Sequence, residues 1–100
     1  MIRHLVTFAL DGFASPEEAQ AHLQHIKIAL EALPKTIPAL KTMMVFPNEN
    51  PAESVGFLLE AHLETWEDLP LYAQHPDHIN IVKELIAPYK IGRACVDFVV

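Results

Sequence analysis

Apolar and polar residues alternate at the start of the chain, then the apolar spacing changes to three and four. Over residues 2–10, Ile2, Val6, Phe8 and Leu10 share one face with His4 among them. Arg3, Leu5, Thr7 and Ala9 share the other. A period of two predicts a strand, and Asp11-Gly12 ends it with turn chemistry. Ser15-Pro16-Glu17-Glu18 predicts a helix start. Ser15 caps, Pro16 takes the first helical position, and Glu18 closes a capping box. Ala19, Leu23, Ile26, Leu30 and Leu33 then recur as one apolar stripe on a helix of about five turns. Pro34 stops that helix, because the residue before a proline resists helical geometry.

Alternation returns in a second strand over residues 39–46, which holds Met43, Met44, Val45 and Phe46. Pro47 to Pro51 form a polar loop. A third strand is predicted over residues 54–64. Val55, Phe57, Leu59, Ala61 and Leu63 lie on one face; Gly56, Leu58, Glu60, His62 and Glu64 lie on the other. Thr65 and Asp68 predict the start of a second helical region. Pro76 breaks this region in two, and its second piece carries an apolar stripe of Ile79, Val82, Leu85 and Ile86. Pro88 ends it. The last strand is predicted over residues 93–100.

The order β-α-β-β-α-β predicts an α+β fold, a ferredoxin-like split unit, as a single domain over residues 1–100. Helices cover one face of its antiparallel sheet. The other face is left bare with Ile, Phe, Met or Leu side chains, and a bare apolar face on a small domain is a partner site. Two such sheets packed face to face make a homodimeric α+β barrel.

Composition narrows the partners. The formal net charge is −6, from 7 Lys+Arg against 13 Asp+Glu, with no basic run. That excludes the cation-driven binding of nucleic acid and of an anionic membrane surface. No apolar run reaches the length of a membrane span, and no signal-peptide pattern precedes the first strand. The one cysteine, Cys95, cannot form an internal disulfide, so a reducing, cytoplasmic setting is expected. In the terminal apolar segment it reads as a small buried hydrophobe.

Candidate chemistry concentrates in Leu71-Tyr72-Ala73-Gln74-His75-Pro76-Asp77-His78. An imidazole near neutral pKa can take a proton from carbon beside a carbonyl, which makes His78 the candidate base. Tyr72 lies across the Pro76 break and can donate to a developing enolate. The competing reading has Tyr72 and His78 hydrogen-bonded to each other, holding the broken helix together. His75 precedes Pro76 and suits a capping role, with ligand contact as the alternative. His4 can orient His78 or a ligand, or sit as a satisfied buried histidine. His4, His62, His75 and His78 are the tempting metal set. Pro76 denies the pair His75/His78 a shared helical face, and no metal site is expected. His22 and His25 read as solvent-facing on the first helix. Three glycines leave no phosphate loop, and no cofactor is expected.

Met1-Ile2-Arg3-His4-Leu5-Val6 with Phe8, then Ile37-Pro38, the Tyr72 to His78 element with its His-Pro-x-His, and Asp97 together resemble the stress-responsive dimeric α/β-barrel family, essentially end to end. The resemblance implies a homodimeric barrel with a cavity in each protomer. Most members have no assigned activity. A plant branch includes a polyketide cyclase, whose tyrosine and histidine in the matching element act as an acid/base pair in an aldol cyclisation. By motif those positions are Tyr72 and His78, and the opening-strand histidine is His4. The chain departs from the family where Met43-Met44-Val45 stands in place of a common glycine. The loop from Pro47 to Ser54 has no feature matching a polyketide pocket.

Three functions follow as expectations. The first is a barrel binding a small, largely apolar ligand between sheet and second helical region, lined by His4, Tyr72, His75 and His78. The second is a cofactor-free cyclase or isomerase with His78 as base, Tyr72 as acid and His4 as orienter. The third, by fold analogy alone, is a cofactor-free monooxygenase.

Overall fold

The computed structural model describes all 100 residues. Its elements are β1 (Ile2–Leu10), α1 (Pro16–Glu31), β2 (Thr42–Pro47), β3 (Phe57–Leu63), α2 (Asp68–Ala73), α3 (Pro76–Ile81) and β4 (Lys90–Val99). A 3₁₀ turn, Leu33–Lys35, follows α1, and a π turn, Val82–Ile86, continues α3. The four strands form one sheet in the order β2-β3-β1-β4, and every neighbouring pair is antiparallel. This is the expected ferredoxin-like arrangement. No helix is long and apolar enough to cross a membrane.

Strand alternation decides which side chains meet the helices. Ile2, His4, Val6 and Phe8 of β1 are buried, as are Phe57, Leu59, Ala61 and Leu63 of β3 and Met43 and Val45 of β2. Ile26 and Leu30 of α1 pack on them from the predicted stripe, with Leu33, Ile37 and Leu40 closing the core beyond the helix. The α1 cap forms as the sequence dictates: Glu18 N–H donates to Ser15 Oγ at 3.1 Å. Gly12 takes φ 100°, a left-handed conformation that other residues resist.

Several boundaries differ from the sequence reading. β2 begins at Thr42 rather than residue 39, because the chain turns after Ile37, whose carbonyl accepts from Leu40 N–H at 3.0 Å. β3 begins at Phe57 rather than 54, where the ladder with Phe8 starts. β4 begins at Lys90 rather than 93, because a register shift against Ala9/Leu10 lets Lys90 pair with Leu10. The second helical region is broken at Pro76 as expected. Thr65 supplies no side-chain cap to α2; its backbone N–H donates to Asp68 Oδ2 at 3.3 Å.

The stripe on the second helical piece also moves. Ile79 is exposed, while Ile81, Val82 and Leu85 pack against the core and Ile86 is fully buried. The inward stripe is therefore His78, Ile81, Val82, Leu85 and Ile86, at steps of i, i+3, i+4, i+7 and i+8. Two stripes shared Val82, Leu85 and Ile86, and packing selects the one that contains His78. His22 is a second correction. Instead of facing solvent, it is half-buried, with Nε2 2.7 Å from the Leu85 carbonyl in the π turn. Its ring also packs on Tyr89 at 4.6 Å.

Edge strand β2 is clamped from α1. Lys27 Nζ donates to Glu31 Oε2 and to the Val45 carbonyl, each at 2.8 Å, and Val45 N–H donates to Glu31 Oε2 at 2.9 Å. Both polar groups of Val45 that the edge would leave open are thus satisfied. Burial would raise the Glu31 carboxyl, but the bonds from Lys27 and Val45 and the Lys27 charge hold it below its ordinary value of 4.5. Both side chains are partly exposed, so solvent screening limits the clamp, and Glu31→Ala is expected to cost about 1 kcal/mol. A depressed carboxyl stabilises above its unfolded value and loses that contribution as pH falls through the folded one. In thermal melts the wild-type advantage over Glu31→Ala is therefore full above pH 4.5 and shrinks below it.

Candidate functional site

Where β1 and β4 run under α2 and α3, the helices leave a cavity of about 330 Å³, and nine of its thirteen lining residues are hydrophobic. Val6, Phe8, Leu59, Leu69, Val82 and Ile86 are among the apolar walls. The other four are His4 from β1, His78 from α3, and Lys90 and Arg93 from β4, and Tyr72 from α2, counted among the nine, adds a hydroxyl. Sequence distance hides this grouping, and the sheet register produces it.

His78 stands on the inward stripe of α3. Its Nδ1 lies 2.9 Å from the Ala73 carbonyl at the end of α2. A carbonyl only accepts, so Nδ1 carries the hydrogen and Nε2 keeps its lone pair. No protein group is bonded to Nε2. The ring thus straps α3 to α2 across the Pro76 break with one nitrogen and leaves the other without a protein partner. Burial pushes the imidazole below its ordinary value of 6.5, against the opposing pull of the Ala73 carbonyl; positive charge on His4 or His75 acts in the same direction as burial.

Tyr72 is only 1% exposed. Its ring centroid lies 4.4 Å from that of His78 and 6.0 Å from that of His4, edge-on in the second case. Tyr72 and His78 are neighbours without a hydrogen bond between them; the bond that secures the helix break goes to Ala73 instead. Burial pushes the phenol well above its ordinary value of 10, although the Arg93 charge pulls it down. The hydroxyl therefore stays a proton donor across the physiological range.

His4 Nδ1 makes a short hydrogen bond to Asp97 Oδ1, since β1 and β4 pair with these residues opposite each other. The carboxylate accepts, so Nδ1 donates and Nε2 is left free. This arrangement, one nitrogen held by a carboxylate, is how an imidazole's tautomer and ring angle are fixed. Cys95 Sγ lies 3.6 Å from both His4 Nδ1 and Asp97 Oδ1. Burial and the adjacent Asp97 carboxylate raise its thiol, so it stays protonated and donates to Asp97. Cys95 is therefore a hydrogen-bonding member of the cluster and more than an apolar filler.

The remaining candidates are placed elsewhere. His75 caps α3, its Nδ1 accepting from Asp77 N–H at 3.1 Å, and it does not line the cavity. His62 points to the opposite sheet face, where its Nε2 is 2.7 Å from Glu60 Oε2. The four-histidine metal set is thus dispersed. A different trio, His4, Cys95 and Asp97, brings three ligand-type atoms within 4.8 Å of one another. In this structure two of those atoms are committed to each other. The sequence reading passed over Asp97 as the His4 partner, and Lys90 and Arg93 altogether. The alternation of β4 carried the signal for Asp97, once β4 is set beside β1.

The sequence model of the stress-responsive A/B barrel domain matches residues 2–100. The chain belongs to this family. Among solved structures, the stress-responsive barrel chain is similar to a dimeric protein of unknown function with a ferredoxin-like fold from Bacteroides fragilis. The two share 33% identity at a TM-score of 0.90, covering 99% of this chain and 95% of that one. A dimeric ferredoxin-like protein of unknown function from Thermobifida fusca follows at 28% identity and a TM-score of 0.80, covering 99% and 90%. The hydroxynitrile lyase of Passiflora edulis shares the fold at a TM-score of 0.77 but only 15% identity, covering 99% and 92%. No curated protein matches the chain.

Proposed function

We propose that this stress-responsive barrel protein is a homodimer that takes a small, largely apolar, carbonyl-bearing molecule into the cavity of each subunit. The observation that carries this reading is the division of the cavity lining. Apolar walls supply the burial, while Tyr72 and His78 present unpaired polar groups at one end. The Tyr72 hydroxyl and His78 Nε2 have no hydrogen-bond partner in the protein and are not sealed away from the cavity, which suits a ligand that supplies one.

The dimer rests on the other sheet face. Leu5, Leu58, Met44, Phe46 and Val96 lie there, and the last three are 47%, 44% and 61% exposed. Arg3 is on this face too. Two relatives of the same fold are described as dimeric. Sedimentation at micromolar concentration is expected to give a dimer, and Val96→Glu a monomer; a stable wild-type monomer would sink the barrel assembly.

Ligand binding is tested by titrating a small aryl ketone and following amide shifts of the cavity residues. Val82→Trp is expected to fill the cavity and abolish those shifts while the protein stays folded. Equal shifts in the variant would place the ligand elsewhere.

A second reading is favoured by the tautomer of His78. A neutral imidazole with Nε2 free, 4.4 Å ring to ring from a phenol that stays protonated, is an acid–base pair. In that reading His78 removes a proton from the carbon beside the carbonyl, Tyr72 donates to the enolate oxygen, and His4, held by Asp97, orients the ligand. No cofactor takes part in these steps. Cofactor-free oxygenation has only fold analogy behind it.

A further inference from the structure

Lys90 and Arg93 are three residues apart on β4, so plain alternation would send them to opposite faces of the sheet. They nevertheless both line the cavity. The cause is the register shift between Ala9 and Leu10: Ala9 pairs with Gly92 and Leu10 with Lys90, which leaves Ile91 as the extra residue. A bulge of this kind re-aims a side chain. Ile91 is 68% exposed, as the displaced residue of such a bulge would be, and Lys90 joins Arg93, whose strand partner is Phe8.

Neither cation has a carboxylate partner among the ion pairs of the protein. The chain has 13 acidic residues and only 7 Lys+Arg, and two of those seven cations line one apolar cavity. The charge of Arg93 reaches Tyr72 in the cavity wall and Cys95 beside His4.

Resting on the ligand pocket proposed above, we propose that Lys90 and Arg93 form an anion subsite and that the ligand is an apolar oxo acid. Its carboxylate sits between the two cations at the rim, its carbonyl meets Tyr72 and His78, and its hydrocarbon body fills the apolar walls. The guanidinium fork of Arg93 matches a carboxylate in two-point fashion. A phosphate is less well served, because the cavity has no glycine-rich loop and only these two cations. The net charge of −6 would repel any anion at long range, so a preference for one must come from the local pair.

The test compares 3-phenylpropanoate, its amide and phenethyl phosphate by calorimetric titration of the full-length protein. Wild type is expected to bind the carboxylate about ten-fold more tightly than the amide, the worth of a charge-assisted pair. In Lys90→Met/Arg93→Met that preference is expected to disappear, with amide affinity unchanged within about two-fold. Equal affinity for acid and amide in wild type would overturn the subsite and leave the pocket standing. Phenethyl phosphate binding more tightly than the carboxylate would overturn the oxo-acid assignment. An equal loss for both acid and amide in the double variant would show that the cations act through structure, and would overturn the subsite too. If no probe binds, the pocket reading falls with it.

Discussion

Replacing His78 by glutamine is expected to slow hydrogen–deuterium exchange at the carbon beside the carbonyl of a bound aryl ketone by about 10²–10⁴-fold, the usual worth of a positioned general base. Glutamine is chosen because its amide can still donate to the Ala73 carbonyl, which His78 Nδ1 holds at 2.9 Å. The strap across the helix break then survives, and the base is lost. His78→Ala removes both, and is expected to cost about 1 kcal/mol of stability besides. The pH profile provides a further check. The active form is the neutral imidazole, and burial lowers His78 from its ordinary value of 6.5. Exchange is therefore expected to rise with pH through a midpoint below 6.5. Because burial raises Tyr72 from its ordinary value of 10, the acid partner imposes no falling limb until well above that pH. A midpoint above pH 6.5, or unchanged exchange in His78→Gln, would remove His78 as the base. The same shift has a stability consequence. The unfolded chain protonates His78 before the folded one does, so stability falls as pH drops below 6.5 toward the folded value. Glutamine abolishes that slope.

The parts of this site differ in how far they can be read from the chain. Strand alternation placed His4 among Ile2, Val6 and Phe8 on the buried face, since a period of two leaves no choice once one face is apolar. Pro76 explained how Tyr72 and His78, six residues apart, can turn into one cavity. The partner of His4 was hidden for a different reason: Asp97 is 93 positions away, and only the β1–β4 register brings the two together. The stripe on α3 was ambiguous because Ile79 and His78 both continue through Val82, Leu85 and Ile86 at helical spacing. Apolar bias favoured Ile79, and the packing chose His78. Lys90 could not be read at all. A bulge depends on how two strands are staggered, and Gly92, a residue type that often marks one, does not say which way Lys90 turns. Local periodicity thus reports which face a residue takes, while pairing across the sheet decides which chemistry the face acquires.

Tyr72 provides the sharpest separation of function from stability. Its side chain is only 1% exposed, and the hydroxyl has no hydrogen-bond partner in the protein. The hydroxyl is not sealed in the core but opens to the cavity, so phenylalanine would pack as well and forfeit no hydrogen bond within the protein. Tyr72→Phe is therefore expected to leave the melting temperature unchanged or slightly raised. Tyr72→Ala should cost about 3–5 kcal/mol, because it empties an aromatic ring's volume from the core. For the same ketone, Tyr72→Phe is expected to slow exchange by about 10²-fold or more, since it removes the donor at the developing enolate oxygen. Ketone affinity should fall only a few-fold, as a ground-state carbonyl draws less on that donor than the enolate does. A ligand-binding barrel without chemistry would show a different split, with affinity changed modestly and no exchange in either protein. A drop in melting temperature for Tyr72→Phe would show that the hydroxyl is bonded within the folded protein and would withdraw it from the site. Where the hydroxyl adds nothing to the fold and is necessary to the exchange, its retention is explained by the ligand it meets.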